Sequence, residues 1–231
     1  MTRKLVLFDI DGTILLSAGA GRRAITTALG EAIGDHHAFE RVRFDGKTDP
    51  QIVSELLTVA GHAPPHAEDR VRALCERYVL LLEEELREPV GMRLMPGIPE
   101  LLDRLEAEAG VVLGLLTGNL ARGAELKLRA AGVDPGRFRV GAYGSDAAHR
   151  PELPPIAARR AAAIFGRVPT GEEVVIIGDT PADIACGAGI GARALGVATG
   201  SYSVAELDAC GPYAVFPDLR ETELVLRAIL A

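Results

Sequence analysis

Leu5-Val6-Leu7-Phe8-Asp9-Ile10-Asp11-Gly12-Thr13 opens on four consecutive apolar residues and closes in a polar turn. An apolar run without polar alternation fits a strand covered on both faces, the habit of parallel sheets flanked by helices. Two more runs repeat the pattern: Val111 to Leu116 stops at Thr117-Gly118-Asn119, and Val174 to Ile177 stops at Gly178-Asp179-Thr180-Pro181-Ala182-Asp183. Weaker strands are expected at Arg193 to Val197 and Ala214 to Phe216. Helical periodicity lies between them, at Ile98 to Ala109, Ala121 to Ala131, Pro155 to Phe165, Pro181 to Ala188 and Glu221 to Leu230. Strands alternating with helices predict an α/β fold built on a doubly wound parallel sheet.

Between Ser17 and Val90 the alternation breaks, and the sequence turns helical at Gly21 to Ile33, Pro50 to Ala60 and Ala67 to Leu86. Pro64-Pro65 separates two of these helices, while Glu88-Pro89-Val90-Gly91 and Pro96-Gly97 punctuate the return to the sheet. The expected organisation is an α/β core formed by residues 1–16 and 91–231, interrupted by a helical insert over 17–90.

With 231 residues, 48% hydrophobic and 25% charged, the chain has the make-up of a soluble folded protein with a sizeable core. Its 25 Lys and Arg against 32 Asp and Glu give a formal charge of −7, which disfavours polyanions and argues against a nucleic-acid partner. Asp9 and Asp11 cut the first apolar run too short for an export signal, and no stretch approaches the roughly 18 apolar residues of a spanning helix. No membrane partner and a cytoplasmic location are therefore expected. Cys75, Cys186 and Cys210 form no CxxC pair and read as reduced thiols serving as small buried apolar residues. His36, His37, His62, His66 and His149 show no metal-binding spacing, so surface or loop roles are expected.

In open α/β sheets the functional groups collect beyond the carboxyl ends of the strands. Asp9, Asp11, Asp179 and Asp183 would meet there. Any one of them could be a helix cap or turn residue. Together, their repulsion is costly unless a cation neutralises it. An all-oxygen set without accompanying His or Cys favours Mg²⁺ over zinc. Gly12 and Gly118 permit close backbone approach to a ligand, and Thr117 adds a hydroxyl beside amides able to bind an anion.

The motifs at Asp9 to Thr13, Leu115 to Asn119 and Gly178 to Asp183 occur in an order, and over a span, that resembles the haloacid dehalogenase superfamily of phosphohydrolases, particularly its phosphoglycolate-phosphatase-like branch. The 105 residues between Asp11 and Thr117 leave room for the helical cap that many members insert. The resemblance implies a Mg²⁺-dependent phosphatase acting on a small phosphorylated metabolite, with Asp9 as nucleophile forming an aspartyl-phosphate and Asp11 as general acid and base. It further implies that Asp9, the backbone carbonyl of Asp11 and Asp179 hold Mg²⁺, with Asp183 as a further ligand or just outside the ligand set. Thr117 and the amides of Gly118 and Asn119 would bind the transferring phosphoryl group. To protonate the leaving oxygen and then accept a proton from water, Asp11 is expected to have its pKa raised from about 3.9 toward neutrality in the substrate complex.

One position departs from the family pattern. Members usually carry a Lys before the third cluster, whereas this chain has His149-Arg150-Pro151. Arg150 is the candidate replacement, since a guanidinium can bridge carboxylate and phosphate. Arg159 and Arg160, inside an expected helix, are its rivals. In the insert, Lys47 of Asp45-Gly46-Lys47-Thr48-Asp49 is a candidate for recognising an anionic substrate, and His37 and Phe44 are candidates to face it. Alternatives within the superfamily are a dehalogenase, disfavoured by Asp11; a sugar phosphomutase, equivalent at every catalytic position; and a phosphonate hydrolase, for which Lys47 would form a Schiff base. A non-catalytic phosphate-binding protein or receiver-like domain is the alternative outside enzymes, and the retention of all four acids beside a helical insert argues against it.

Overall fold

Side chains of the first strand point alternately to two covered faces. In the computed structural model, which describes residues 3–34, 37–88 and 90–231, β1 spans Lys4–Phe8. His36 and Pro89, named above, lie outside the described residues. Val6 and Phe8 pack with Leu113, Leu115, Val175 and Ile177 into one apolar layer, and Leu5 and Leu7 pack with Val112, Leu116, Val174 and Ile176 into another. The two-residue period of a strand thus explains why the sequence shows no polar alternation: both faces are interior.

The strands β1, β4 (Val111–Thr117), β5 (Val140–Tyr143), β6 (Val174–Gly178), β7 (Arg193–Val197) and β8 (Ala214–Phe216) form one parallel sheet in the order β5-β4-β1-β6-β7-β8. Phe8 pairs with Leu115 on one side and Ile177 on the other. Helices α4 (Ile98–Ala107), α5 (Ala121–Ala130) and α9 (Thr222–Leu230) contribute to the first apolar layer, and α6 (Leu153–Phe165) covers the second. The short helices α7 (Pro181–Cys186) and α8 (Val204–Asp208) flank β7. The chain lays β4 and β5 on one side of β1, then crosses to place β6, β7 and β8 on the other. The carboxyl end of β1 is therefore the switch point at which open α/β sheets bind ligands.

A two-stranded antiparallel ribbon, β2 (Leu15–Leu16) with β3 (Arg93–Leu94), joins the ends of the helical insert. The insert comprises α1 (Ala20–Ile33), α2 (Asp49–Val59) and α3 (Glu68–Glu85), as the helical periodicity implies. It has its own apolar cluster, including Ile25, Leu29, Leu56, Tyr78 and Leu82, against which Leu120, Leu126 and Ala130 of the core also pack.

Sequence periodicity does not reveal β2, β3, β5 or α8. β5 reads Val-Gly-Ala-Tyr, with too little side chain to signal a strand, and it lies at the sheet edge. Cys75 and Cys186 are buried as expected, but Cys210 is exposed just past α8. Among the described residues no helix is long and apolar enough to cross a membrane.

Candidate active site

Directly after β1, Ile10 accepts hydrogen bonds from the amides of Thr13, Ile14 and Leu15, winding Asp9 to Thr13 into a tight turn. Gly12 sits in that turn at φ 86°, and a Cβ there would lie 2.3 Å from Oδ2 of Asp179. Only glycine meets both the left-handed backbone and the close approach. Thr13, fully buried, donates from Oγ1 to Oδ1 of Asp179 at 3.0 Å.

After β6, Thr180 caps α7: its Oγ1 accepts from the amide of Asp183 and donates to Oδ2 of Asp183 at 2.6 Å. This capping box fixes the carboxylate beneath the cluster. Gly178 makes the approach possible, since a Cβ there would lie 2.1 Å from Cγ of Asp183.

Asp9, Asp179 and Asp183, all buried, bring one carboxylate oxygen each within 4.8 Å of one another. Burial, outweighing the attraction of Arg150 and reinforced by Asp183 and Asp11, pushes the Asp9 carboxyl up to about 6. Asp179 is raised well above the usual aspartate value by burial and by Asp183 and Asp9. This frustrated, all-oxygen donor set fits a hard divalent cation, whose charge would relieve the repulsion. The carboxylate of Asp11 lies outside this trio.

Arg150, at the start of a one-turn 3₁₀ helix, is 5% exposed and places Nη2 3.0 Å from Oδ1 of Asp9 and against Oδ1 of Asp183. The same nitrogen donates to the Leu116 carbonyl at 3.2 Å. Its Nε is buried with no hydrogen-bond partner among the described residues. The rivals are elsewhere: Arg160 pairs with Asp146, and Arg159 is exposed.

At the end of β4, Oγ1 of Thr117 accepts from Nδ2 of Asn119 at 2.8 Å and from the Asn119 amide at 3.3 Å. Gly118 permits a crossing of chains, for a Cβ there would stand 2.0 Å from the Lys47 carbonyl oxygen. The Gly118 carbonyl accepts from the Asp49 amide at 2.8 Å, and Oδ2 of Asp49 accepts from the Leu120 amide at 2.8 Å. The insert is thus stitched to the Thr-Gly-Asn loop.

Asp11 faces a partner that sequence reasoning misses. Nζ of Lys127, on α5, donates to Oδ2 of Asp11 and to Oδ1 of Asn119, both at 2.6 Å. Burial raises the Asp11 carboxyl, but the charge of Lys127 and hydrogen bonds from Lys127, Asn119 and Ser17 outweigh it and hold the group below its ordinary value. The expected rise toward neutrality concerns the substrate complex; the side chains around Asp11 by themselves act in the opposite direction. Asp49 and Tyr78 were also missed. Burial, against Lys127 and the Leu120 amide, pushes Asp49 up to about 6, and Tyr78 hydrogen-bonds it.

Asp9, Asp11, Lys47, Thr117, Gly118, Asn119, Arg150 and Asp179 line one cavity of about 250 Å³ between core and insert. Phe44 lines it too, stacked under Arg22 with the guanidinium carbon 3.8 Å from the ring centre. Lys47 ion-pairs with Glu55. His37 is exposed and not among the lining residues.

A family model described as hydrolase, haloacid dehalogenase-like hydrolase, matches residues 3–191. The chain belongs to the haloacid dehalogenase-like hydrolases. It is 24% identical over 229 residues to a protein named "Probable phosphatase IndB" from Dickeya dadantii (strain 3937), covering 99% of this chain and 95% of that protein. Among solved structures, a predicted phosphoglycolate phosphatase from Haemophilus somnus 129pt superposes with a TM-score of 0.72 at 21% identity, covering 98% and 99% of the two chains. A β-phosphoglucomutase from Clostridium difficile superposes with a TM-score of 0.74 at 17% identity, covering 100% and 98%. These phosphatase and mutase structures share the fold, so the chemistry of this chain has to be argued from its own side chains.

Proposed function

We propose that the chain is a Mg²⁺-dependent phosphomonoesterase acting on a small phosphorylated metabolite, with residues 17–90 as a cap over a core of residues 1–16 and 91–231. The observation that carries this is the buried trio of Asp9, Asp179 and Asp183 with Arg150 between two of them, at the switch point of the sheet. Asp9, Asp179 and the Asp11 carbonyl would hold the ion, with Asp183 supporting it through Arg150 and Thr180. The ion, when bound, neutralises the acidic cluster and lets an anionic ester approach.

The rest belongs to the chain's own groups. A carboxylate oxygen of Asp9 attacks phosphorus, forming an aspartyl-phosphate as the ester oxygen leaves. Arg150, fixed against Asp9, stabilises charge on the transferring phosphoryl group, and its unpartnered Nε is a donor still to be used. Thr117 and the amides of Gly118 and Asn119 hold the phosphoryl oxygens. Asp11 protonates the leaving oxygen and later takes a proton from the water that hydrolyses the aspartyl-phosphate.

Lys47 lines the cavity with Thr117, Gly118 and Asn119, which supports a role in recognising the anionic substrate. Asp11 beside Asp9 argues against the dehalogenase.

Purified protein with Mg²⁺ should hydrolyse phosphate monoesters, lose activity in excess EDTA and regain it on addition of Mg²⁺. Asp9→Asn should remove turnover while keeping the fold by circular dichroism. Full activity in EDTA would sink the metal-dependent account.

A further inference from the structure

Lys127 takes no part in the chemistry above, yet its side chain is only 5% exposed. Burying an ammonium costs several kcal/mol unless charge and hydrogen bonds offset it. Here Oδ2 of Asp11 and Oδ1 of Asn119 supply the offset, each at 2.6 Å. Nδ2 of Asn119 closes the ring onto the same Oδ2 at 2.8 Å and reaches back to Oγ1 of Thr117. The insert leaves room for the ammonium by placing Gly21 opposite, where a Cβ would come 3.3 Å from Nζ and 3.7 Å from the Tyr78 hydroxyl.

Two donors therefore hold one oxygen of Asp11, while the other, Oδ1, has among the described residues a single long contact of 3.4 Å from Ser17. A proton-transfer group must sit within roughly 2.6–3.2 Å of its target, and a carboxylate free to turn about two side-chain bonds does so only part of the time. We propose that Lys127 is a positioning residue: acting through Asp11, it pins Oδ2 so that Oδ1 stays turned to the leaving oxygen of the ester. This rests on the role assigned to Asp11 above. The negative charge of the bound ester, opposing that of Lys127, favours a proton on Oδ1, and as the phosphorus–oxygen bond breaks its electron pair goes to the leaving oxygen, which takes that proton. When water then attacks the aspartyl-phosphate, its proton returns to Oδ1 and restores the donor for the next turnover.

An ester whose leaving group is stable as an anion needs no proton donor, so the test compares dinitrophenyl, phenyl and ethyl phosphate in Mg²⁺. The ratio kcat/KM ends at leaving-group release and is blind to the later hydrolysis. For Asp11→Asn the loss on ethyl phosphate should exceed that on dinitrophenyl phosphate by about 10²-fold or more. Lys127→Met should lose in the same direction, by at least about 10-fold more on the ethyl ester. Gly21→Ala, which crowds Nζ without removing its charge, should show the same selectivity at about 2- to 5-fold. Equal losses on all three esters in Lys127→Met, or none, would overturn the proposal and leave Lys127 a structural residue. If Lys127→Met does not fold by circular dichroism, Gly21→Ala decides, and an unselective Gly21→Ala overturns it. Absence of selectivity in Asp11→Asn itself would instead show that the Asp11 assignment is wrong, taking the proposal with it.

Discussion

The carboxyl end of the sheet and the helical insert both face the cavity, but they are held there differently. The backbone around Asp9 and Asp183 is shaped by hydrogen bonds within a few residues of their own strands, through the Ile10 turn and the Thr180 capping box, and Arg150 ties the two carboxylates together. On the insert side, Lys47 is held by Glu55 eight positions away, and Asp49 by Leu120 and Tyr78, partners on other elements. The difference teaches that short motifs set the turns that carry the core's acids, which Thr13, Lys127 and Arg150 then hold from far along the chain, whereas the insert's share of the site rests on partners in other elements throughout. Core substitutions should therefore strike chemistry and stability together, and insert substitutions should act on recognition or on pH response.

The comparison would break first at Arg150. Arg150→Ala leaves Asp9 and Asp183 buried without their cation, so stability without Mg²⁺ should fall by about 3–5 kcal/mol in urea unfolding. Its kcat/KM on phosphate esters should fall by about 10²-fold or more. Arg150→Lys restores charge without the planar fork and should retain more of both. Wild-type behaviour in both variants would move the cationic role elsewhere.

How far this site was legible in the sequence follows the same divide. The strand runs ending at Asp9, Thr117 and Asp179 are visible because both faces of the sheet are buried, and the three helices of the insert show their periodicity. Arg150 could be suspected only because the resemblance led to looking for a cation near that position. Lys127 was hidden in a charged helix, Ala121–Ala130, where a lysine ordinarily points to solvent. A signal was present: Gly123, Ala124, Lys127 and Leu128 share the buried face, so the lysine interrupts an apolar stripe. Nothing local to Asp49 or Tyr78 announces their partners, since Tyr78 reads as one more apolar position in α3.

Asp49 sharpens the comparison through pH. Its carboxyl is raised to about 6, so between about pH 4 and about 6 the folded chain keeps a proton that the unfolded chain releases. Stability contributed by Asp49 is then greatest at low pH and falls as pH rises through that window. Asp49→Asn should flatten this dependence, gaining on the wild type by up to about 3 kcal/mol above pH 6 and losing that gain toward pH 4. Urea unfolding in EDTA at several pH values checks it, and parallel wild-type and variant curves would count against the buried carboxyl.

The smallest effect is expected at Lys47, half-buried and paired with Glu55. Lys47→Arg keeps charge and pairing, so stability should move by no more than about 0.5 kcal/mol, with KM altered and kcat kept within about 2-fold. Loss of kcat in this variant, with a borohydride-trapped adduct at Lys47 in the wild type, would establish amine catalysis instead.

Asp9 as the nucleophile is the central claim, and one measurement reaches it directly. Wild-type protein mixed with phenyl phosphate and Mg²⁺, acid-quenched within the first turnover and digested, should carry a phosphoryl group on Asp9 in the peptide mass spectrum, and Asp9→Asn should carry none. A burst of phenol with the phosphoryl group on another residue, or with no covalent phosphoryl group at any quench time, would contradict the account.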